Sequence, residues 1–181
     1  MIERKNDFDL GIRWQIPDAR RYAFVFFALC IALLLIYGNS FNNSFQFDDT
    51  PNILENPNVQ PESLSRDALK KSFYGTDLDH AKIKRPFSYL TLAVNYYFSG
   101  ENTFSYHVVN FAIHLITSVF LFLLIYNLLQ LPLLKDRYAK SAYAIALLAV
   151  FFWATHPIQL TAVTYIVQRM AALAGMFYVM A

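Results

Sequence analysis

Long uncharged stretches, separated by polar ones, set the pattern along this chain. The first covers residues 22–38 and, at ~1.5 Å per residue, nearly crosses a hydrocarbon core of ~30 Å. Residues 1–21 before it are polar and carry four acids, and no small-x-small cleavage site follows the run. We therefore interpret 22–38 as an uncleaved transmembrane anchor rather than a signal peptide, with 1–21 as a cytoplasmic tail.

Further uncharged runs predict two more transmembrane spans and part of another. The spans cover residues 106–130 and 141–155, and an apparent fourth begins near 164 and continues to 181. Pro157 interrupts the helical pattern, so 156–163 is predicted to be a turn. The apolar run of the fourth span continues to residue 181 without the capping or polar residues that usually end a helix. We therefore expect the chain to be the N-terminal part of a longer protein.

The polar segments are predicted to contain short helices. Residues 39–105 form a long loop, in which PESLSRDALKKSFYG is typical of a short amphipathic helix that stops at Gly75. Residues 87–98 are uncharged but too short to span a bilayer, which favours a helix at the membrane surface. Residues 131–140 form a short basic link. The fold class predicted by this pattern is an all-α, multi-pass membrane protein.

Basic residues predict the orientation of the spans. The leading tail holds five arginine and lysine residues and the short 131–140 link holds three, which places both in the cytoplasm. The 39–105 loop holds six, but it is too long for the rule to apply to it. The 39–105 loop and the turn at His156 then lie on the opposite, extracytoplasmic face. They can contribute to one site there.

Composition supports a membrane protein and argues against several other classes. The chain is 56% hydrophobic and 15% charged, whereas soluble domains carry about 25% charged residues. A net charge of +2 gives no basis for nucleic-acid binding. We interpret the single cysteine, Cys30, as a buried small hydrophobe. No Gly-rich phosphate loop, G-x-S-x-G, H-E-x-x-H or cysteine cluster is present.

The acidic pair Asp48-Asp49 follows the first span. Neighbouring side chains diverge, so the two carboxylates are not expected to act on the same atom. We expect Thr50 to cap a helix that begins at Pro51, with Asp49 favouring its positive end. Asp48 has no such structural reason and is the candidate base. The alternative is that both are solvated loop acids.

Basic and polar side chains form three further candidate features. Arg85 precedes the 87–98 helix and can bind a phosphate through two parallel hydrogen bonds, although the residues alone favour simple contact with lipid headgroups. His107, Asn110 and His114 share one face of the second span, either as a packing seam or as the lining of a site. His107 and His114 are two turns apart, about 10 Å, which is too far to share a metal ion.

The last candidates are His156, at the end of the third span, and Arg169, at the start of the fourth. An arginine within a span costs roughly 2.5–3.5 kcal/mol at its centre, so Arg169 is expected to have an anionic partner such as a phosphate or an acid. No residue cluster predicts a metal site.

Four motifs occur in a fixed order between Phe45 and Met180: FDD…N-P-x-V, R-P-x-x-x-L-T…N-Y, Y-H-x-x-N-x-x-x-H, and H-P…A-V…R…L-A. In this order they resemble the GT-C superfamily of multi-span glycosyltransferases. More narrowly, the chain looks like the transmembrane O-mannosyltransferases with tetratricopeptide repeats and their bacterial relatives. It departs from them at Leu160-Thr161, where many relatives carry an acid, and it has no repeat signature.

The resemblance implies a donor sugar on a polyprenyl phosphate, a protein Ser or Thr hydroxyl as acceptor, and membrane lipids as surroundings. It assigns Asp48 as general base, supported by Asp49. Arg85, His107 and Arg169 are then candidates for the donor phosphate, although Arg169 can serve packing instead, and Asn110, His114 and His156 line the site. It leaves a divalent metal ion open and favours a bacterial inner membrane over the endoplasmic reticulum.

The resulting hypothesis is the N-terminal part of an inverting glycosyltransferase. The alternatives are a non-catalytic membrane or lipid-binding module, an inactive truncated relative of such an enzyme, and, with least support, part of a transporter.

Overall fold

The computed structural model describes residues 18–181, in which all regular structure is helical. Most of the predicted cytoplasmic tail lies outside this range. The eight α-helices are α1 (Ala19–Tyr37), α2 (Arg66–Ser72), α3 (Pro86–Ser99), α4 (Thr103–Leu128), α5 (Pro132–Tyr138), α6 (Ala142–Thr155), α7 (Leu160–Thr164) and α8 (Arg169–Met180). The all-α prediction is confirmed for the described residues.

Two segments are long and apolar enough to cross a membrane, Ala19–Asn42 and Thr103–Leu128. Two bent pairs pass the same test together: Pro132–Tyr138 with Ala142–Thr155, bent by 96°, and Pro157–Thr164 with Ile166–Met180, bent by 99°. The described residues therefore contain two to four candidate spans. The segment predicted as a simple link at 131–140 contains a helix of its own.

Helices α1, α4 and α6 pack around one apolar core. The buried residues of α1 recur every four positions at Val25, Leu29 and Leu33, which places them on one helix face. On α6 two of the buried core residues, Ala146 and Ala154, are small, and small residues let helix backbones approach closely in a membrane. The opposite face of α1 exposes large apolar side chains, as expected for a surface in contact with lipid.

The loop before α3 folds onto a second apolar cluster. Single-turn helices at Thr50–Leu54 and Pro57–Val59 bury Ile53 and Val59 against Tyr89 and Leu92 of α3. The predicted stop at Gly75 has a positive φ of 58°, and a Cβ there would collide with the Tyr89 ring.

The prediction that Thr50 caps a helix beginning at Pro51 is wrong. Thr50 is itself the first residue of the turn Thr50–Leu54, and no side chain caps that turn. The acidic pair is therefore held by other contacts.

A buried arginine joins α3, α4 and α8. Arg169 has no exposed surface. Its guanidinium donates to Asn110 Oδ1 at 2.8 Å, to Asn95 Oδ1 at 2.8 Å, and to the carbonyls of Tyr106 at 3.0 Å and Thr91 at 3.2 Å. These acceptors are neutral amide oxygens, so the fold satisfies this charge by hydrogen bonds to dipoles of two helices, α3 and α4.

We predict that Arg169→Lys lowers the free energy of unfolding by at least ~2 kcal/mol, because two or more buried acceptors lose their donor at roughly 1–3 kcal/mol each. Thermal unfolding of the protein in detergent would measure this, with Arg66→Lys at an exposed position as the matched control. Equal stability of the two variants would contradict the role assigned to the network.

Candidate active site beside the break between α7 and α8

The segment that carries the acidic pair is fastened to the helices at both ends. At its start, the Asn43 carbonyl accepts a hydrogen bond from Nε2 of His107 on α4 at 3.1 Å. At its end, the Asp49 carboxylate accepts the backbone N–H of Gln46 at 2.9 Å and that of Val167, just before α8, at 2.8 Å. The segment is thus bound to the break between α7 and α8.

Asp49 is 1% exposed, and both of its carboxylate oxygens accept these backbone N–H groups. Burial raises the pKa of the Asp49 carboxyl above its ordinary value, while the N–H groups of Gln46 and Val167 and the charge of His107 act in the opposite direction. The geometry of Asp49 is that of a side chain that holds the loop. Asp49 therefore has a structural role, as expected. That role is to bridge the N–H groups of Gln46 and Val167, and not to favour the positive end of a helix that begins at Pro51.

Asp48 is exposed, its backbone is fixed by hydrogen bonds, and its carboxylate also interacts with the Tyr165 hydroxyl. Its N–H donates to the Tyr165 hydroxyl at 2.9 Å, and its carbonyl accepts from Asn52 Nδ2 at 2.8 Å. These bonds direct the residue towards a cavity of about 360 Å³, whose lining includes Asp48, Asn52, Arg85 and Gln168. The cavity therefore combines a carboxylate, an amide and a guanidinium.

One charged residue of this cavity, and the residue before the other, lie at strained positions of the backbone. Arg85 has a φ of 43°, as does Phe47, the residue before Asp48. Non-glycine residues in this region cost of order 1–3 kcal/mol and cluster at active sites and ligand clamps. The Arg85 guanidinium donates to the Met170 sulfur at 3.3 Å, a weak acceptor, so a stronger anionic ligand could replace that contact.

The other two phosphate candidates do not line this cavity. Arg169 is buried in the network described above, which is the packing role that the sequence left open. His107 has no exposed surface, its Nε2 holds the loop at Asn43, and its Nδ1 is buried without a hydrogen-bond partner. Both residues can influence the cavity only through the backbone and the potential around it.

Asn110 is also a packing residue. Its amide nitrogen donates to the carbonyls of Tyr165 and Ile166, both at 3.2 Å, and its oxygen accepts from Arg169. It therefore stabilises the break between α7 and α8 from the face of α4.

His114 is buried and lines a second cavity, next to the first. His156 is exposed and caps the turn Pro157–Gln159, where its Nδ1 accepts the N–H of Ile158 at 3.2 Å. The bond from Tyr37 at the end of α1 to the Ala154 carbonyl brings the His156 turn to the end of the bundle where the acidic loop starts. His156 lines neither cavity, however.

Three residues in or beside the first cavity were not predicted, namely Asn52, Tyr165 and Gln168. Tyr165 and Asn52 bond to the backbone of Asp48. Asn52 lies close to the acidic pair in DDTPN, which could have suggested it, whereas Tyr165 has no such signal in the sequence. Between residues 18 and 181, no group of three or more His, Cys, Asp or Glu side chains is arranged to hold a metal ion.

Sequence comparison finds curated relatives of one kind. The chain is 30% identical to the human protein O-mannosyl-transferase TMTC4 over 154 residues, which is 81% of this chain and 21% of that protein. It is 32% identical to the mouse protein O-mannosyl-transferase TMTC3 over 148 residues, 80% of this chain and 15% of that protein. A third relative is protein O-mannosyl-transferase tmtc2 of Xenopus laevis, 30% identical over 151 residues, which cover 81% of this chain and 17% of that protein.

The chain thus spans about a fifth or less of the length of these relatives. No family model matches it, and no solved structure matches it.

The two neighbouring aspartates are expected to differ in their effect on stability. We predict that Asp49→Ala costs about 1–3 kcal/mol, because the buried N–H of Val167 loses its acceptor, whereas Asp48→Ala stays within about 0.5 kcal/mol. Thermal unfolding of both variants in detergent measures the difference. A larger loss in Asp48→Ala than in Asp49→Ala would reverse the assignment.

Proposed function

Because the chain belongs to a GT-C-like family related to the TMTC protein O-mannosyl-transferases, we propose that it supplies the base and the phosphate clamp of a glycosyl-transfer site. The observation that carries the proposal is that Asp48 and Arg85, 37 positions apart in sequence, line one cavity. The donor is a sugar on a polyprenyl phosphate and the acceptor is a protein Ser or Thr hydroxyl.

In the proposed reaction Asp48 acts as general base. Its carboxylate takes the proton of the acceptor hydroxyl while that oxygen forms a bond to the anomeric carbon of the sugar. The bond between the anomeric carbon and the phosphate oxygen breaks, with inversion, and its electron pair leaves on the polyprenyl phosphate. The exposure of Asp48 supports this role, since a base must reach the acceptor.

Arg85 stabilises the leaving phosphate, which gains a negative charge in the step. A guanidinium can donate two parallel hydrogen bonds to phosphate oxygens, and at present this one donates to a thioether. The left-handed backbone at Arg85 and the following Pro86 fix where the side chain starts.

The site is held in place by three residues that do not contact the substrate in this proposal: Asp49, His107 and Arg169. Asp49 and His107 hold the loop that carries Asp48, and Arg169 holds α8 against α3 and α4. In this proposal phosphate binding rests on Arg85 and no longer on His107 or Arg169. The acidic loop faces the extracytoplasmic side of a membrane, as the distribution of basic residues indicates.

A non-catalytic lipid-binding module is the second candidate. The exposed apolar side chains of α3, among them Phe87 and Phe98, suit a helix at a membrane surface, and Arg85 at its start suits a lipid headgroup. In that module Arg85 matters and Asp48 does not.

We predict that Asp48→Asn lowers sugar transfer by at least ~100-fold in the protein's own membranes, because an amide cannot accept the hydroxyl proton. Transfer of labelled mannose from its polyprenyl phosphate to protein is the measurement. Asp67→Asn, at an exposed position on α2, is the control and keeps full activity. Full transfer by Asp48→Asn would leave the lipid-binding module as the better description.

Arg85→Ala is predicted to raise the KM for the lipid donor by roughly ten- to a hundredfold, because a charge-assisted contact to phosphate contributes about 1.5–3 kcal/mol. Arg85→Lys, which keeps the charge but not the paired donors, should lie between wild type and Arg85→Ala. Arg66→Ala is the matched control. An unchanged KM in Arg85→Ala would remove this residue from the phosphate site.

A further inference from the structure

The cavity that contains His114 has a lining unlike that of the cavity at Asp48. It encloses about 240 Å³ among α4, α6, α7 and α8, and no Asp, Glu, Lys or Arg lines it. Its polar groups are amides, hydroxyls and an imidazole, and its largest side chain is Trp153. A ligand for this space is therefore neutral.

Several polar groups around this cavity have no partner in the described part of the chain. The side-chain amides of Gln159 and Gln168 and the hydroxyl of Thr161 make no hydrogen bond with residues 18–181. The buried amides of Asn95 and Asn110, in contrast, are bonded at both ends. Gln159 and Gln168 are half-buried and Thr161 is exposed, so their polar groups are open to the cavity and can bind a ligand that supplies hydroxyl groups.

The imidazole of His114 adds a directed acceptor. Its Nε2 lies 3.0 Å from the Ala154 carbonyl, which accepts only, so Nε2 carries the hydrogen and the neutral ring has its lone pair on Nδ1. Nδ1 has no partner among residues 18–181, although the side chain is 97% buried, its exposed fraction being 3%.

An aromatic surface completes the lining. Trp153 stacks on His114 with ring centroids 5.3 Å apart and an interplanar angle of 27°, which fixes the plane of the indole. A rigid aromatic wall combined with amides and hydroxyls matches a sugar ring, whose C–H faces are apolar and whose edge carries hydroxyl groups. The volume lies below the ~300–1,000 Å³ of a drug-sized site, which suits a single ring.

The two cavities share a rim. Gln168 and Ala171 line both cavities. Gly175 lines the neutral cavity, and the space where a Cβ would stand at this residue is open. We infer that the neutral cavity is the subsite for the sugar ring of the lipid-phosphate donor. This inference rests on the proposed function: the phosphate lies with Arg85, and the anomeric carbon lies at the shared rim, within reach of Asp48.

The inference can be tested by measuring the fluorine resonance of labelled Trp153. The chain, labelled with 5-fluorotryptophan in nanodiscs, has two fluorine resonances, from Trp14 and Trp153, and Trp153→Phe assigns the second. We expect polyprenyl-phosphate mannose and methyl mannoside to shift the Trp153 resonance, and polyprenyl phosphate without sugar to leave it in place. Gln159→Leu, at a residue that lines the neutral cavity and not the charged one, should weaken binding of the mannosyl lipid roughly tenfold and leave binding of the bare lipid unchanged. Gln130→Leu, outside both cavities, is the matched control.

An equal shift with bare polyprenyl phosphate would overturn the inference, because the cavity would then hold the lipid chain. No shift with either mannose compound would also overturn it. The proposed function fails separately: if Arg85→Ala binds both lipids as tightly as wild type, the phosphate assignment is wrong whatever Trp153 reports.

Discussion

A guanidinium group with no exposed surface joins three helices of this chain. Arg169 of α8 donates to side-chain and carbonyl oxygens of α3 and α4, and one of its acceptors, Asn110, also binds the backbone at the break before α8. A charge in this position has to be satisfied inside the protein, which leaves little freedom for the three helices to move apart. The position of the α7–α8 break, and with it Tyr165 and Val167, follows from that constraint.

The loop that carries the acidic pair is positioned by this break. Val167 supplies the N–H that Asp49 accepts, and Tyr165 supplies the hydroxyl that accepts the N–H of Asp48. The two adjacent aspartates therefore differ in their surroundings. The buried carboxylate of Asp49 accepts two backbone N–H groups, whereas Asp48 lines a cavity. In the proposed function, the charged cavity takes the phosphate and the neutral cavity next to it takes the sugar. The N-terminal part of α8 contributes to the lining of both cavities.

The hydrophobic pattern was sufficient for the long helices, because α1 and α4 have spans of uncharged residues that few soluble elements share. It also indicated that His107, Asn110 and His114 lie on one face of α4. It could not indicate what that face meets, since Asn110 bonds to residues 55 and 56 positions away, and only packing brings them together. The role of Asp49 was hidden for the same reason, and the bend of 96° before α6 leaves no signal in composition.

The bond from Asp49 to Val167 connects positions 118 residues apart, so it has a consequence for biogenesis. When α1 and the acidic loop have been synthesised and have reached the membrane, the segment around Tyr165 and Val167 that binds the loop has not yet been made. Until residues 165–167 are made, the Asp49 carboxylate lacks the N–H of Val167 as its donor, and the N–H of Asp48 lacks the Tyr165 hydroxyl as its acceptor. The contacts that position Asp48, the proposed base, therefore form only after the segment before α8 has been made.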